Sequence, residues 1–484
     1  MLVQLFGRKT LIGKLRYYFL ERHYSQTIRY SLIALCMALT LASTLLFRGV
    51  IFFNLDFLPG LIPILAMMGL AAVVVLYVHF TAAIPLIVVI STIMAEGIGT
   101  GTGTKITFTF ITAWALVGIW VFKMLVVEKN VRLRASPANL PALIFVIVVV
   151  ISLVWSSGFA DPDTKHILDS KMMPRLMTAA VLIISPLTYM LFANNIKSTS
   201  TIRFIVWWFI VVGAAFMALR LVTGSVPNPF NDEGQFPTWV GAFAVGQMLL
   251  NKKLRPIVRL GLGGVAAGWF YITLGLGISW LSGWLPLVVA AAIILLFYSR
   301  PLFIIALLIG AVFIVSQWDA VEGIFSAESE ESGESRVGAW QQALTVANDH
   351  LMFGTGPAGY AFYFQARLRG FYQLSHNNYV DIISQTGLVG FFFFVWFWLG
   401  VNWVSLRTYR LVPKGGFEHG LATTLLAANL STLGVMMLGD WVTPFTYTQG
   451  LGGIDYTIWA WIWAGLSVAY YHICRERVHE VEKS

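Results

Sequence analysis

The amino-acid sequence predicts an all-α fold, a polytopic membrane bundle of about fourteen transmembrane helices, on three observations. Of its 484 residues 58% are hydrophobic and only 11% are charged, where soluble domains carry about 25% charged residues. Apolar runs of roughly 15 to 23 residues, the length that crosses a bilayer, recur along the chain. The segments between them carry Lys and Arg on alternate sides, the pattern of a chain threaded back and forth through a membrane.

The first thirty residues are polar and basic (Arg8, Lys9, Lys14, Arg16, Arg22, Arg29) and hold no short apolar core before a small-residue cleavage site, so the first span is expected to stay in place as an anchor. Spans are expected at 28–47, 57–79, 81–95, 107–127, 140–156, 175–194, 202–222, 238–250, 259–278, 281–298, 301–317, 387–404, 419–438 and 457–472. The third and eighth are short, which suits tilted, broken or re-entrant segments covered by other protein. With the N-terminus inside, alternate loops hold Lys129 to Arg134, Lys197 with Arg203, Lys252 to Arg255, Arg300, Arg407 to Lys414 and the tail from Arg475. About 23 of the 32 Lys and Arg then fall inside, with about 6 of the 23 Asp and Glu, so both termini are expected in the cytoplasm. The net charge of +9 is accounted for by topology, and no nucleic-acid partner is expected. Cys36 and Cys474 lie in segments too different in kind to suggest a disulfide.

One connection departs from the short loops elsewhere. Trp318 to Thr386 is far longer than the usual link, and long ordered loops usually carry function. The chain accordingly divides into 1–317 (spans one to eleven), 318–386 (a large outer loop) and 387–484 (three more spans and a tail). Within the loop, Glu328 to Glu334 is acidic and polar, and Ser335 to Ala347 has apolar residues at helical spacing, with Ser335 placed to cap. Phe353, Gly354, Gly356, Pro357 and Gly359 predict a tight turn after His350. An aromatic stretch from Tyr360 to Phe364, basic Arg367 and Arg369, and the run Ser375-His376-Asn377-Asn378-Tyr379 lead into an apolar span.

The order Ser335-Arg336-x-x-x-Trp340, Phe353-Gly354-x-Gly356-x-x-x-Tyr360, then His376-Asn377-x-Tyr379 ahead of Gly387-Leu-x-Gly390 resembles the signature loop of the bacterial O-antigen ligase and O-antigen polymerase family of membrane glycosyltransferases. Pro227-Asn228-Pro229 resembles that family's Asn-Pro-Asn region, and the likeness covers residues 175 to 400. Two positions depart from it: Gln385 stands where many members carry Glu, and Ser279-Trp-Leu-Ser282-Gly283 where they often read Ser-Arg-Gly.

The resemblance implies a bundle of the GT-C type in the bacterial cytoplasmic membrane, with the large loop extracytoplasmic. It implies transfer of a glycan from an undecaprenyl diphosphate-linked donor to a hydroxyl of a glycan, lipid or protein acceptor, with membrane lipids around it and no cofactor. Fourteen spans tilt the reading towards polymerase over ligase or O-linked protein glycosylation. His376 then serves as base for the acceptor hydroxyl, since imidazole titrates near about 6.5; the plainer role is to cap or pack under the loop. Arginine binds diphosphate bidentately and keeps its charge, so Arg336, Arg175 and Arg220 are the expected diphosphate ligands, the last two with snorkelling to headgroups as the alternative. Asn377, Tyr379, Tyr360, Arg367 and Arg369 are expected to contact substrate, the tyrosines by stacking on sugar rings.

Asp161-Pro-Asp163 has the Asp-x-Asp form that holds metal in some glycosyltransferases, but the spacing is common in loops and no metal is expected. Gly97 to Thr104 before Lys105 imitates a phosphate loop without satisfying its spacing and reads as a flexible or re-entrant loop. A transporter of lipid-linked sugars is the rival from another class; it should show inverted repeats and charges at mid-membrane depth, and the sequence displays neither.

Overall fold

The computed structural model describes residues 74–99, 105–278, 280–316, 318, 336–368 and 375–483. The chain forms two compact units, Met1–Phe80 and Thr81–Ser484. Only residues 74–80 of the first are described, and they are mostly helical. The expected span 28–47, most of 57–79, the acidic run and Ser335 lie outside the described residues.

The second unit is helical almost throughout. Helix α1 (Leu86–Ile93) leads into a small antiparallel hairpin, β1 (Gly97–Gly99) and β2 (Lys105–Thr107). The glycine-rich stretch read as a loop is therefore partly strand. Its three residue pairs are reinforced by Lys105 Nζ donating to Glu96 Oε2 at 2.7 Å, which holds the Glu96 carboxyl below the usual range. Helices α2 (Phe108–Phe122), α3 (Asn139–Gly158), α4 (Pro162–Ser170), α5 (Met172–Asn195) and α6 (Thr199–Thr223) follow. Next come α7 (Phe236–Leu250), α8 (Pro256–Phe270), α9 (Leu281–Tyr298) and α10 (Arg300–Ser316). Two helices fall in the long loop, α11 (Arg336–Asp349) and α12 (Gly359–Leu368). The chain closes with α13 (Asn378–Leu411), α14 (Phe417–Val435), the single turn α15 (Thr446–Gln449) and α16 (Ile454–Lys483).

A helix occupies each expected span from the third onward. Among the described residues seven helices are long and apolar enough to cross a membrane, and the chain is a multi-pass membrane protein. The count of fourteen is not reproduced. Helix α7 has 15 residues, nearly all buried, and α14 is rich in Thr, Ser and Asn yet buried over most of its length. Both are covered by other helices, so neither has to match lipid in length or polarity. Tryptophan accounts for much of the packing at the centre: Trp239, Trp459, Trp461 and Trp463 are fully buried, and Trp239 stacks on Trp463 at 5.5 Å.

Polar groups tie the helices where apolar packing alone distinguishes poorly between helix and lipid. Asn429 of α14 donates to Ser405 of α13 and Ser467 of α16, each at 3.0 Å, while Asn402 donates to the Asn429 carbonyl at 3.3 Å. Helix α16 also packs along α5, and α13 along α3. At the end of the bundle that carries the long loop, α4, α11, α12 and the start of α13 share a small apolar core built on Leu168, Ala343, Tyr360, Tyr363 and Val380. The amphipathic helix expected from Ser335 to Ala347 is α11, and its buried face belongs to this core. The last helix of the loop begins earlier than expected: α13 starts at Asn378, and its continuation past the anticipated boundary is broken by the non-helical Gly387.

Candidate functional site

Short-range chemistry places His376. Asn377 is a helix cap whose Oδ1 accepts from the Tyr379 N–H at 2.9 Å and the Val380 N–H at 3.3 Å, so α13 must begin there. Asn378 anchors this start to the connection between α14 and α16: its Nδ2 donates to the Thr443 carbonyl and hydroxyl at 2.8 and 2.7 Å, and its Oδ1 accepts from the Val442 N–H at 3.0 Å. His376, caught between the cap and the preceding chain, takes φ of +46°. A left-handed histidine costs on the order of 1–3 kcal/mol and persists only where its surroundings impose it. Its ring is half-buried and meets Phe445 edge-on, 6.3 Å between centroids. On the other side, Trp340 Nε1 donates to the Ser375 carbonyl at 2.6 Å. The motif tryptophan thereby fixes α11 against the residue before His376, and Arg336 begins that helix one turn earlier.

The glycine turn is built against the same helix. Thr355 and Gly356 donate their N–H groups to the carbonyls of Ser384 and Gln385 at 2.9 and 3.0 Å, and Leu388 donates back to Leu351 at 2.8 Å. Gly387 at φ +68° faces Met352 so closely that a Cβ would sit 2.3 Å from its carbonyl oxygen. Gln385 staples the two segments: its Oε1 accepts from the Ala358 N–H at 2.7 Å and its Nε2 donates to Asp381 Oδ2 at 2.7 Å. A glutamate could not make the second bond. One turn earlier, Asp381 is fully buried. Asp381 also receives the Tyr447 hydroxyl at 3.4 Å, and Tyr447 shares a hydrogen bond with Tyr360. Burial, and next the Asp381 charge, hold the Tyr360 hydroxyl protonated far above its ordinary range.

Arg175 lies in the first turn of α5, wholly buried. Its Nη2 donates to the Ser156 hydroxyl, while Nε and Nη1 have no hydrogen-bond partner among the described residues. The guanidinium lies against the glycine turn: a Cβ on Gly356 would fall 3.1 Å from Nη2 and collide with Ser156. One turn along α5, Thr178 hydrogen-bonds Thr446, the neighbour of the phenylalanine that packs on His376. Arg175, Gly356, Tyr360, Asp381, Tyr447 and His376 thus form one connected neighbourhood.

The remaining expected site residues are placed differently. Arg220 ends α6 in a bidentate ion pair with Asp232, with Nη2 to Oδ1 at 3.0 Å, so its fork is already occupied. Tyr379 donates its hydroxyl to the Leu433 carbonyl at 2.7 Å and so ties α13 to α14. Arg336 and Arg367 lie on α11 and α12, their side chains outside the described residues, as is the whole of Arg369. Asp161 Oδ2 stands 3.5 Å from His350 Nε2, and among the described residues no group of three or more metal-suited side chains occurs. Asp381, Tyr447 and the 436–447 connection were not singled out from sequence. The signal available there was a polar, glycine- and proline-bearing stretch between two apolar runs, which marks a loop and no more.

Residues 265–395 match the family model described as O-antigen ligase, an interval that holds α11, α12, His376 and Gln385. Over that interval the chain is similar to the O-antigen ligase domain, which supports the O-antigen ligase and polymerase family. No curated protein matches the chain. Members of that family are membrane glycosyltransferase-like ligases and polymerases that act on lipid-linked glycan and an acceptor, and the match supports an enzyme of that general kind. Arg175 and Tyr447 lie outside the matched interval and join the O-antigen ligase domain only through the fold.

Proposed function

We propose that the protein transfers a glycan from an undecaprenyl diphosphate-linked donor to an acceptor hydroxyl at the outer face of the cytoplasmic membrane, with both termini cytoplasmic and the bundle of GT-C type. The observation that carries this reading is the buried Arg175 guanidinium with two nitrogens lacking partners among the described residues, set against the glycine turn of the family domain. A buried cation with no carboxylate in hydrogen-bond contact among the described residues is costly, Asp169 acting on it only through space, and a diphosphate supplies the oxygens that such a fork binds in pairs. In this mechanism His376 accepts the proton of the acceptor hydroxyl, whose oxygen attacks the anomeric carbon. The bond from that carbon to the diphosphate oxygen breaks, and the leaving diphosphate gains its charge against Arg175 and Arg336. Tyr360 and Tyr447, kept as hydroxyl donors by burial, and Asp381 hold the turn and the helix start in register. Arg220 is left to its ion pair.

The polymerase form, in which the acceptor is a second lipid-linked chain, is the reading we adopt. The description of the matching family model favours the ligase form, in which the finished chain leaves its carrier. Purified protein incubated with an undecaprenyl diphosphate-linked repeat unit tests both. Longer carrier-linked chains support the polymerase, and glycan found only on an added lipid or protein acceptor supports the ligase. An intact donor with every acceptor, or full transfer by His376→Ala, defeats the mechanism.

A further inference from the structure

At the end of the bundle remote from His376, three turns converge. They are the start of α6, the turn between α7 and α8, and the turn between α13 and α14. Lys252 N–H donates to the Gly415 carbonyl at 3.1 Å, Gln247 Nε2 donates to the Phe417 carbonyl at 3.1 Å, and the Arg203 guanidinium lies over the Phe417 ring at 4.8 Å. Between them is a cavity of about 420 Å³ whose lining includes Arg203, Lys253, Lys414, Trp207, Leu254 and Asn251. Helix α13 runs from the His376 site to this cavity, roughly 36 Å beyond its break at Gly387 at 1.5 Å per residue.

The charges here are not balanced within the described residues. Lys253 and Lys414 enter no ion pair there, and the one carboxylate on the wall, Glu418, is held by Arg477 at 2.5 Å. Asn251 is buried, spends its Nδ2 on Gln247 at 2.9 Å, and leaves Oδ1 without a partner. The site therefore offers three cations for a phosphate, an acceptor for a hydroxyl, and apolar walls from Trp207 and Leu254. It lies where α6, α8 and α13, all long and apolar enough to cross a membrane, reach their ends, at the depth of lipid headgroups. Basic pockets between membrane helices bind anionic headgroups by this chemistry.

We propose that this cavity binds the phosphodiester of an anionic phospholipid, with Arg203, Lys253 and Lys414 on the phosphate oxygens and Asn251 Oδ1 accepting from a headgroup hydroxyl. In the orientation proposed above the lipid belongs to the cytoplasmic leaflet, but the chemistry is independent of that orientation and of glycan transfer. The test is native mass spectrometry and thermal unfolding of the full-length protein in detergent, with phosphatidylglycerol, phosphatidylcholine or inorganic phosphate added. Phosphatidylglycerol is expected to stay bound and to raise the unfolding temperature, with phosphatidylcholine doing neither. The double variant Lys253→Gln/Lys414→Gln, at exposed positions that leave the packing intact, is expected to bind phosphatidylglycerol about 30-fold more weakly, at about 1 kcal/mol per cation. Equal binding of the two lipids, or undiminished binding by the double variant, overturns the proposal. Stabilisation by inorganic phosphate as large as that by lipid overturns the assignment to a membrane lipid.

Discussion

Arg175→Met separates a binding guanidinium from a structural one. Three N–H groups of Arg175, one on Nε and two on Nη1, are buried without a partner among the described residues. Each unsatisfied buried donor costs about 1–3 kcal/mol, so the native side chain carries a penalty of several kcal/mol. Methionine keeps the length and packing of the stem. It forfeits the bond to Ser156, worth about 1 kcal/mol, but Ser156 retains its bond to the Leu153 carbonyl at 3.1 Å. The expected outcome is a variant whose unfolding temperature without substrate equals or exceeds that of the wild type. Transfer from the lipid diphosphate donor should fall about 10²–10³-fold, the usual effect of removing one charge-stabilising donor. The assay pairs thermal unfolding in detergent with the rate of glycan transfer. A variant that transfers at the wild-type rate refutes the diphosphate role. One that unfolds well below the wild type shows that the guanidinium is a structural tie.

Three other expectations follow from the contacts around His376. Gln385→Glu replaces the donor to buried Asp381 with a second carboxyl group, and leaving buried polar groups unsatisfied should cost about 1–3 kcal/mol; an unfolding temperature equal to that of the wild type would show that Asp381 and Gln385 do not interact as described. Gly387→Ala places a Cβ 2.3 Å from the Met352 carbonyl oxygen at φ +68°, and should cost about 3 kcal/mol or more, read as lost folded yield on size-exclusion chromatography. Trp340→Phe keeps the ring but removes the 2.6 Å bond to Ser375. Stability should drop by about 1 kcal/mol, and the transfer rate at saturating donor should drop with it, because the backbone ahead of His376 loses its tie.

The elements legible in the sequence were those with strong local signals. Apolar runs placed the helices from the third span onward and the glycines at 354 and 356 marked the turn, whereas the cap that the plainer reading gave to His376 falls one residue later, on Asn377, which was expected to contact substrate. Where residues 97–99 pair with 105–107, three-residue strands are too short to show alternation. Gln385 stood out only as a departure from the resemblance, because its partner Asp381 lies four residues away, a neighbour along a helix but nothing special along the chain. Arg220 and Arg175 looked equivalent, both cations at span ends. They differ because Asp232 hydrogen-bonds one directly, whereas the other hydrogen-bonds only Ser156 among the described residues and feels Asp169 through space.

By itself the sequence determined the membrane class, the order of helices and the glycine turn ahead of His376, since these follow from hydropathy and from backbone preferences over a few residues. The tertiary structure alone decided which arginine is left without an ion-pair contact among the described residues, that Tyr447 and Phe445 join the His376 neighbourhood from another connection, and that three basic segments share one cavity. Those outcomes depend on the mutual placement of helices hundreds of residues apart, where distance in space sets the electrostatics and distance along the chain does not.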